Sequence, residues 1–452
     1  MAFASRSTVA GAALAIASFA LVAAAASADS LDVARDSSPA QQHAMGFLAD
    51  SLLRAPGAMN DPEQIDAAFE RAQAYRAYRP AWIREPADVA PIPLVDVQGG
   101  LDPGELWLGW VSGTDRTILF AITHDQRRAF SIAGVTVLSE KIRSARKTLG
   151  ARPQGGKDTK SAQTAAEELA RLVFGDALPL VAKARSLVFV PDSPLDLVPF
   201  SALVVKGQPL IATHPVSVSL SVSLEREAPD DSVKSHKLLA MQGGGGELSA
   251  SEREIEWLAG TFQGVTVWRA DRSVPDSATL AGYEALHFAG RVTYDDQDPW
   301  QSGVDAGRRH AAPPADYPPP GADGVFHANR IAMMRLRADL VVLTSCAHAS
   351  SIYGPGPFPS SFLVAGARAV IVPLWPLDAH DVESLVRELY RSLDAGKSAA
   401  EALRAAQDHQ RRTSGTQHPY YWAGFALWGD GAAKLGLKPN PIWKRGTGKS
   451  GH

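Results

Sequence analysis

The sequence is short of cysteine and of net charge, and each shortage excludes a class of protein. Its single cysteine, Cys346, cannot form an intramolecular disulfide, which excludes a small disulfide-stabilised scaffold. The formal net charge of −3 over 452 residues gives no argument for nucleic-acid binding, so we expect no nucleic-acid partner. No repeat of about 30 to 45 residues is visible, which argues against a helical solenoid. An apolar content of 45% instead fits a globular protein with a sizeable core.

Residues 1–28 have the pattern of a secretory signal peptide. Arg6 supplies a positive charge, Ala10–Ala26 is uncharged and weakly apolar, and Ala26-Ser27-Ala28 fits the small-x-small cleavage pattern. We therefore expect cleavage after Ala28 and a periplasmic or secreted protein. No later run approaches the ~20 apolar residues that a membrane span needs, so we expect no integral membrane span after cleavage.

Apolar periodicity predicts a mixed architecture for the rest of the chain. Residues 29–98 have helical spacing that ends in a proline-rich linker, and alternating strands follow from Glu105. Beyond them, short apolar runs alternate with helical stretches, which indicates an α/β fold with a mostly parallel sheet covered by helices. The runs that we expect to be strands are Leu106–Val111, Thr117–Ile122, Ala129–Ile132, Leu187–Val190, Leu238–Met241, Val265–Trp268, Ala285–Phe288, Leu340–Ser345 and Ala369–Val372.

Two of these runs lead to residues that could carry chemistry. Leu340–Ser345 ends at Cys346, and the run that contains His287 continues to Arg291. In an open parallel sheet, catalytic groups and ligands collect beyond the carboxyl ends of the strands. A thiol at that place is typical of cysteine hydrolases, whose nucleophile needs a neighbouring general base, normally histidine. The second run instead supplies an arginine.

The chain from about residue 101 to 432 resembles the CHAT domain family, which belongs with the caspases and separases. The resemblance rests on the order of several short motifs, each of them modest alone. These motifs are Val190–Leu195, Val198–Leu203, Leu248–Leu258, Leu286–Gly290, Asp323–Asn329, Leu340–Cys346, Val372–Asp378, Ala399–Gln407 and Tyr421–Phe425. The resemblance implies a caspase-like fold, a domain over residues 99–436, and a polypeptide substrate or protein partner. We expect residues 437–452 to form a flexible basic tail, and we expect no metal or cofactor.

Active members of the family are endopeptidases with a His/Cys dyad, and the resemblance places Cys346 at the nucleophile position. The family's catalytic histidine belongs to a His-Gly pair that aligns here with Arg291-Val292. Arginine can stabilise a thiolate, but its pKa above ~12 prevents it from acting as a base.

Two histidines and several acids near the expected cleft are further candidates. His287 is expected on the same strand face as Arg291, about 13 Å back along the strand, where it reads as a core residue. His348 follows Cys346 by two positions and could approach the thiol. Asp296 and Asp378 are candidates for binding a basic substrate residue.

Three functions remain open on the sequence alone. The first is a catalytically degraded caspase-like module that binds peptide or protein partners. The second is a cysteine endopeptidase that uses Cys346 with a non-standard base, and the third is redox chemistry of this thiol. The proline-rich segment 311–324 lies between the two candidate strands, and its role is left open.

Overall fold

The computed structural model describes residues 51–55, 57–76, 93–219, 235–243, 248–269, 271–295, 298–307, 323–348, 357–377 and 379–441. For residues 345–348 it describes the backbone only. The expected signal peptide, most of the proline-rich linker, the proline-rich segment and most of the basic tail lie outside these ranges. Among the described residues, no helix combines the length and the apolar character that crossing a membrane would require.

The secondary structure follows the apolar runs of the sequence. The strands are β1 (Glu105–Val111), β2 (Arg116–Ile122), β3 (Arg127–Ala133), β4 (Ser186–Val190), β5 (Val204–Val205), β6 (Gln208–Pro209), β7 (Val216–Val218), β8 (Leu238–Gln242), β9 (Val265–Trp268), β10 (Ala285–Thr293), β11 (Gly303–Asp305), β12 (Val325–His327), β13 (Leu340–His348), β14 (Ala369–Pro373) and β15 (Phe425–Gly429). The helices are α1 (Pro62–Arg76), α2 (Leu94–Gly99), α3 (Val135–Leu149), α4 (Gly156–Phe174), α5 (Leu178–Val181), α6 (Leu210–Thr213), α7 (Leu248–Thr261), α8 (Ser277–Leu280), α9 (Ala328–Ile331), α10 (Pro357–Val364), α11 (Ala379–Asp394), α12 (Ala399–Arg412) and α13 (Pro419–Trp422).

One sheet of 13 strands organises the described part of the chain, in the order β12-β11-β10-β13-β14-β15-β7-β4-β1-β2-β3, with β8 and β9 beside β10. Strands β9, β8, β10, β13 and β14 are parallel, and β15 is antiparallel to β14. Strands β15, β7, β4 and β1 are again parallel, and β1, β2 and β3 form an antiparallel meander. The prediction of a mostly parallel sheet with a small antiparallel segment is therefore confirmed.

Helices cover the two faces of the sheet because each presents one apolar stripe to it. On one face, Leu138 of α3 and Val173 of α4 pack in a cluster with Trp110 of β1. On the other face, Leu258 of α7 packs with α11 and α12. The apolar stripe of α11 is buried along its whole length, and it consists of Val382, Leu385, Val386, Leu389 and Leu393.

Two segments, Ser251–Glu254 and Ser398–Glu401, have the Ser-x-x-Glu spacing of a capping box, and the second one forms it. Ser398 Oγ accepts from the Glu401 amide while the Glu401 carboxylate accepts from the Ser398 amide, which fixes the start of α12. Ser251–Glu254 does not cap a helix, because α7 already begins at Leu248. The Glu254 carboxylate contacts His287 in the core instead, with Oε1 3.0 Å from Nε2.

Candidate active site

The carboxyl edge, at which β8, β10, β13 and β14 end, contains a fork in the sheet. Strand β8 pairs with the first part of β10, up to Ala289, and β11 pairs with Val292 and Thr293 on the same side. Gly290 lies where the two partners meet, and a Cβ built there would fall 1.9 Å from the carbonyl oxygen of Asp305. Only glycine fits this close approach of two backbones. The fork thus fixes the backbone immediately before Arg291.

The next residues of β10 lie beside the end of β13. In the parallel register Arg291 pairs with Ser345 and Val292 with Cys346, so the Cα atoms of each pair are about 5 Å apart. The structure therefore brings together the two segments that the sequence singled out. The pairing is irregular between Phe288 and Arg291. This irregularity interrupts the alternation of side chains between the two faces of β10. The four-residue spacing of His287 and Arg291 therefore no longer places them on the same face.

The guanidinium of Arg291 has a carboxylate partner in the neighbouring strand. Its Nε lies 3.9 Å from Asp305 Oδ2, and the side chain remains 37% exposed, against 11% for Asp305. The carboxylate balances the positive charge, and the exposed fraction leaves the guanidinium open to a further acceptor. Sequence reasoning missed Asp305, because β11 has only three residues and shows no apolar alternation.

Tyr294 is a second residue that sequence reasoning missed. It follows β10 directly, is buried, and donates its hydroxyl hydrogen to the carbonyl of Pro373 at 2.7 Å. Pro373 ends β14, and β13 lies between β10 and β14. The tyrosine side chain therefore spans β13 and ties together the two strands that flank Cys346. Its ring packs edge-on against Phe358 at a centroid distance of 6.1 Å.

His287 is enclosed in the core and has no exposed surface. Its Nδ1 lies 2.9 Å from the Tyr390 hydroxyl, and its Nε2 lies 3.0 Å from Glu254 Oε1. Burial raises the pKa of Tyr390 well above its ordinary value, and the nearby Glu254 charge raises it further. The ring has no exposed surface and its Nδ1 is hydrogen-bonded within the core, which agrees with the interpretation of His287 as a core histidine.

His327 is a histidine at this edge that the sequence left without a role. It pairs with Gly303 of β11, which pairs with Thr293 at the end of β10. Its Nδ1 lies 2.7 Å from the carbonyl oxygen of Gln301 and its Nε2 lies 2.6 Å from Asp323 Oδ2. Both partners only accept, so both contacts are hydrogen bonds only when the ring carries two protons. Burial of the Asp323 carboxyl group raises its pKa. The hydrogen bonds from His327 and from the Val325 amide outweigh burial and leave the Asp323 pKa lowered.

The acids next to the cleft serve local structure where they are described. The Oδ1 of Asp295 accepts from the Asp298 amide, and Asp298 accepts in turn from the Trp300 amide, which builds a tight turn. Asp296 and Asp378 lie outside the described residues, as do the side chains of Cys346 and His348. Their proposed roles stay predictions.

Sequence similarity links the chain to a known domain family. A family model of the CHAT domain matches residues 163–430. Tetratricopeptide repeat protein 28 of Mus musculus is 33% identical over 114 residues, which make up 25% of this chain and 5% of that protein. The Homo sapiens protein of the same name is 32% identical over the same length and the same shares. The chain thus matches about one twentieth of the length of these relatives.

A solved structure shares the fold. The Saccharomyces cerevisiae separase-securin complex at 2.6 Å resolution matches with a TM-score of 0.53 and 11% identity, over 88% of this chain and 37% of the other. The family match covers more than half of the chain, and the caspase-like, mostly parallel sheet agrees with it. The chain belongs to the CHAT domain family.

Proposed function

We propose that this protein is exported and binds peptide or protein partners at a caspase-like site that no longer cleaves them. The observation that carries the proposal is Arg291, which pairs next to Cys346 at the family's histidine position. Export rests on the signal-like pattern of residues 1–28.

The chemistry of peptide cleavage explains why this arginine matters. The thiol must lose a proton to attack the carbonyl carbon, and the leaving amine must gain one when the C–N bond breaks. A guanidinium holds its protons throughout the working pH range, so Arg291 performs neither transfer. His287 is enclosed in the core, and both nitrogens of His327 already face acceptors.

Binding a peptide needs no proton transfer, whereas cleavage does. The site retains features that suit binding. The exposed part of the Arg291 guanidinium can donate to a carbonyl or carboxylate of a bound chain. The fork at Gly290 and the bridge from Tyr294 to Pro373 hold the edge in one geometry. The relatives named for tetratricopeptide repeats and the separase solved in a complex with securin both suggest a protein partner.

The experiment incubates the purified protein with a peptide pool and separates retained from released peptides by mass spectrometry. We expect intact peptides to be retained by the wild type and by Cys346→Ala alike. Retention should fall in Arg291→Ala, with Arg335→Ala, an exposed arginine on another surface, as the matched control. Cleavage by the wild type that disappears in Cys346→Ala would overturn the loss of catalysis, and absence of retention would overturn the binding role.

A second candidate function is a cysteine endopeptidase that uses Cys346 with a non-standard base. The observation in its favour is a partly exposed guanidinium beside the nucleophile position, since a cation stabilises a thiolate. The same incubation distinguishes the two functions, because only the second one predicts Cys346-dependent fragments. Labelling with a peptidyl acyloxymethyl ketone between about pH 5 and 9 gives an independent readout, since such probes react with activated thiolates.

A further inference from the structure

The large sheet is joined near its middle by a short seam, the edge along which β7 and β15 run parallel. Among the described residues, one pair is in register across this seam, Val218 with Trp428. Three pairs are in register between β7 and β4, and five between β15 and β14. The seam therefore has a shorter hydrogen-bonded ladder than the strand pairs on either side of it.

A small cavity lies at this seam, in which the centre of a water-sized molecule has about 20 Å³ of space. Its walls come from both faces of the sheet, since Val218 of β7 packs in the apolar cluster on one face and Leu427 of β15 in the cluster on the other. Apart from Ser201 and Gln407, every residue that lines the cavity is apolar. An internal water needs about 10–15 Å³ of such space, so the cavity accommodates one water molecule and no larger ligand.

Gln407 supplies one polar atom to the wall of this cavity. The residue lies on α12 and has no exposed surface. Its Nε2 donates to the Phe425 carbonyl at 3.0 Å, whereas its Oε1 is buried and forms no hydrogen bond within the described part of the chain. A flipped amide would set Oε1 against the Phe425 carbonyl, which also only accepts, so the bond to Phe425 fixes the orientation of the amide. Gln407 therefore presents a buried acceptor without a partner.

Ser201 supplies the second polar atom. It lies in the short turn Phe200–Ala202 and is 7% exposed. Its Oγ is buried and, like Gln407 Oε1, forms no hydrogen bond with the residues that the structure describes. Leaving a buried polar atom unpaired is costly, so such atoms in folded proteins are normally satisfied by protein or by ordered water. Two of them at one water-sized cavity point to a single group that satisfies both.

We propose that this cavity binds one ordered water molecule that joins Ser201 to Gln407. The water donates one hydrogen to Gln407 Oε1, and it forms a second hydrogen bond with Ser201 Oγ, which can donate or accept. Two polar partners in an otherwise apolar cavity of this size meet the requirement for an internal water. The lining holds no charged side chain, so the charge of an ion would remain unbalanced there.

The water gives a role to two sequence motifs that the candidate active site does not use. Ser201 belongs to the motif Val198–Leu203, and Gln407 ends the motif Ala399–Gln407. The first motif precedes β7 in the chain, whereas Gln407 is bonded to the first residue of β15. The water thus links the elements on the two sides of the seam, where the ladder between the strands is short. This inference does not depend on the proposed function.

A high-resolution crystal structure of the full wild-type chain tests the proposal directly and needs no variant to fold. We expect one peak of electron density within hydrogen-bond distance of both Ser201 Oγ and Gln407 Oε1. The peak should be absent from crystals of Ser201→Ala, which leaves the water a single partner. Ser361→Ala is the matched control, because Ser361 is a buried serine outside the cavity whose Oγ donates to the Phe358 carbonyl, and it should leave the peak unchanged.

Urea titration of Ser201→Ala, Gln407→Met and the double variant gives a second readout. A shared water couples the two side chains, so the double variant should lower the folding equilibrium constant about three- to tenfold less than the product of the single effects. Ser361→Ala combined with Gln407→Met should show no such coupling. An empty cavity, a direct hydrogen bond between Ser201 and Gln407, or independent effects of the two substitutions overturns the proposal.

Discussion

Replacement of Tyr390 by phenylalanine tests whether His287 belongs to the core. The change removes one hydroxyl group and leaves His287 Nδ1 without the partner that now lies at 2.9 Å. Because Nε2 faces the Glu254 carboxylate, the proton favours Nε2, and Nδ1 is an acceptor that the variant leaves unpaired. A buried polar group without a partner costs about 1–3 kcal/mol. We expect the free energy of unfolding, measured by urea titration, to fall by about that amount.

Tyr421→Phe is the matched control, since Tyr421 is partly buried and its hydroxyl makes no hydrogen bond with the described residues. It should change the free energy of unfolding by less than about 0.5 kcal/mol. Peptide retention at the site of Cys346 should be unaffected by both changes. If Tyr390→Phe lowers the free energy of unfolding no more than Tyr421→Phe does, the hydrogen bond to His287 contributes nothing to stability. If it abolishes retention without loss of stability, His287 takes part in the site.

Two further predictions concern the backbone fork and a buried acid. Gly290→Ala should lower the free energy of unfolding by about 1–3 kcal/mol or more, because the new Cβ meets the Asp305 carbonyl oxygen at 1.9 Å. Gly260→Ala, at a position of α7 with open space around it, should instead raise the free energy of unfolding by about 0.5–1 kcal/mol. Equal effects of the two substitutions would contradict the close approach of the two backbones at Gly290. Burial, and to a lesser extent the charge of Asp192, raises the pKa of Asp196 to about 7. The raised pKa stabilises the fold at low pH, so wild-type stability should fall by a few kcal/mol between about pH 4 and 7. Asp196→Asn should remove this slope in pH-dependent urea titrations, and an unchanged slope would contradict the assignment.

The sequence predicts most of the strands that contain a longer apolar run, although it did not predict β15 (Phe425–Gly429). Each expected run, from Leu106–Val111 to Ala369–Val372, lies within a strand of the structure. Strands β7, β11 and β12 have only three residues each, which is too few to show an alternation. Strand β10 extends past its apolar run to Thr293, since pairing with β11 and β13 continues there.

The site is harder to predict, because its contacts join residues that are far apart in sequence. The pairing of Arg291 beside Cys346 follows from two neighbouring strands and could be anticipated. The bond from Tyr294 to Pro373 spans 79 positions and has no local signature. The position of Asp305 depends on a short strand that enters the sheet only through the fork at Gly290. For His327 a signal was present, because it lies in a family motif with Asp323.

Peptide cleavage by Arg291→His tests the central claim, namely that the missing proton carrier disables the site. Wild type, Arg291→His and the double variant Arg291→His/Cys346→Ala are compared on one peptide pool at equal concentration. We predict no cleavage by the wild type, measurable cleavage by Arg291→His, and none by the double variant. Cleavage by the wild type, or no cleavage by Arg291→His, would contradict the account.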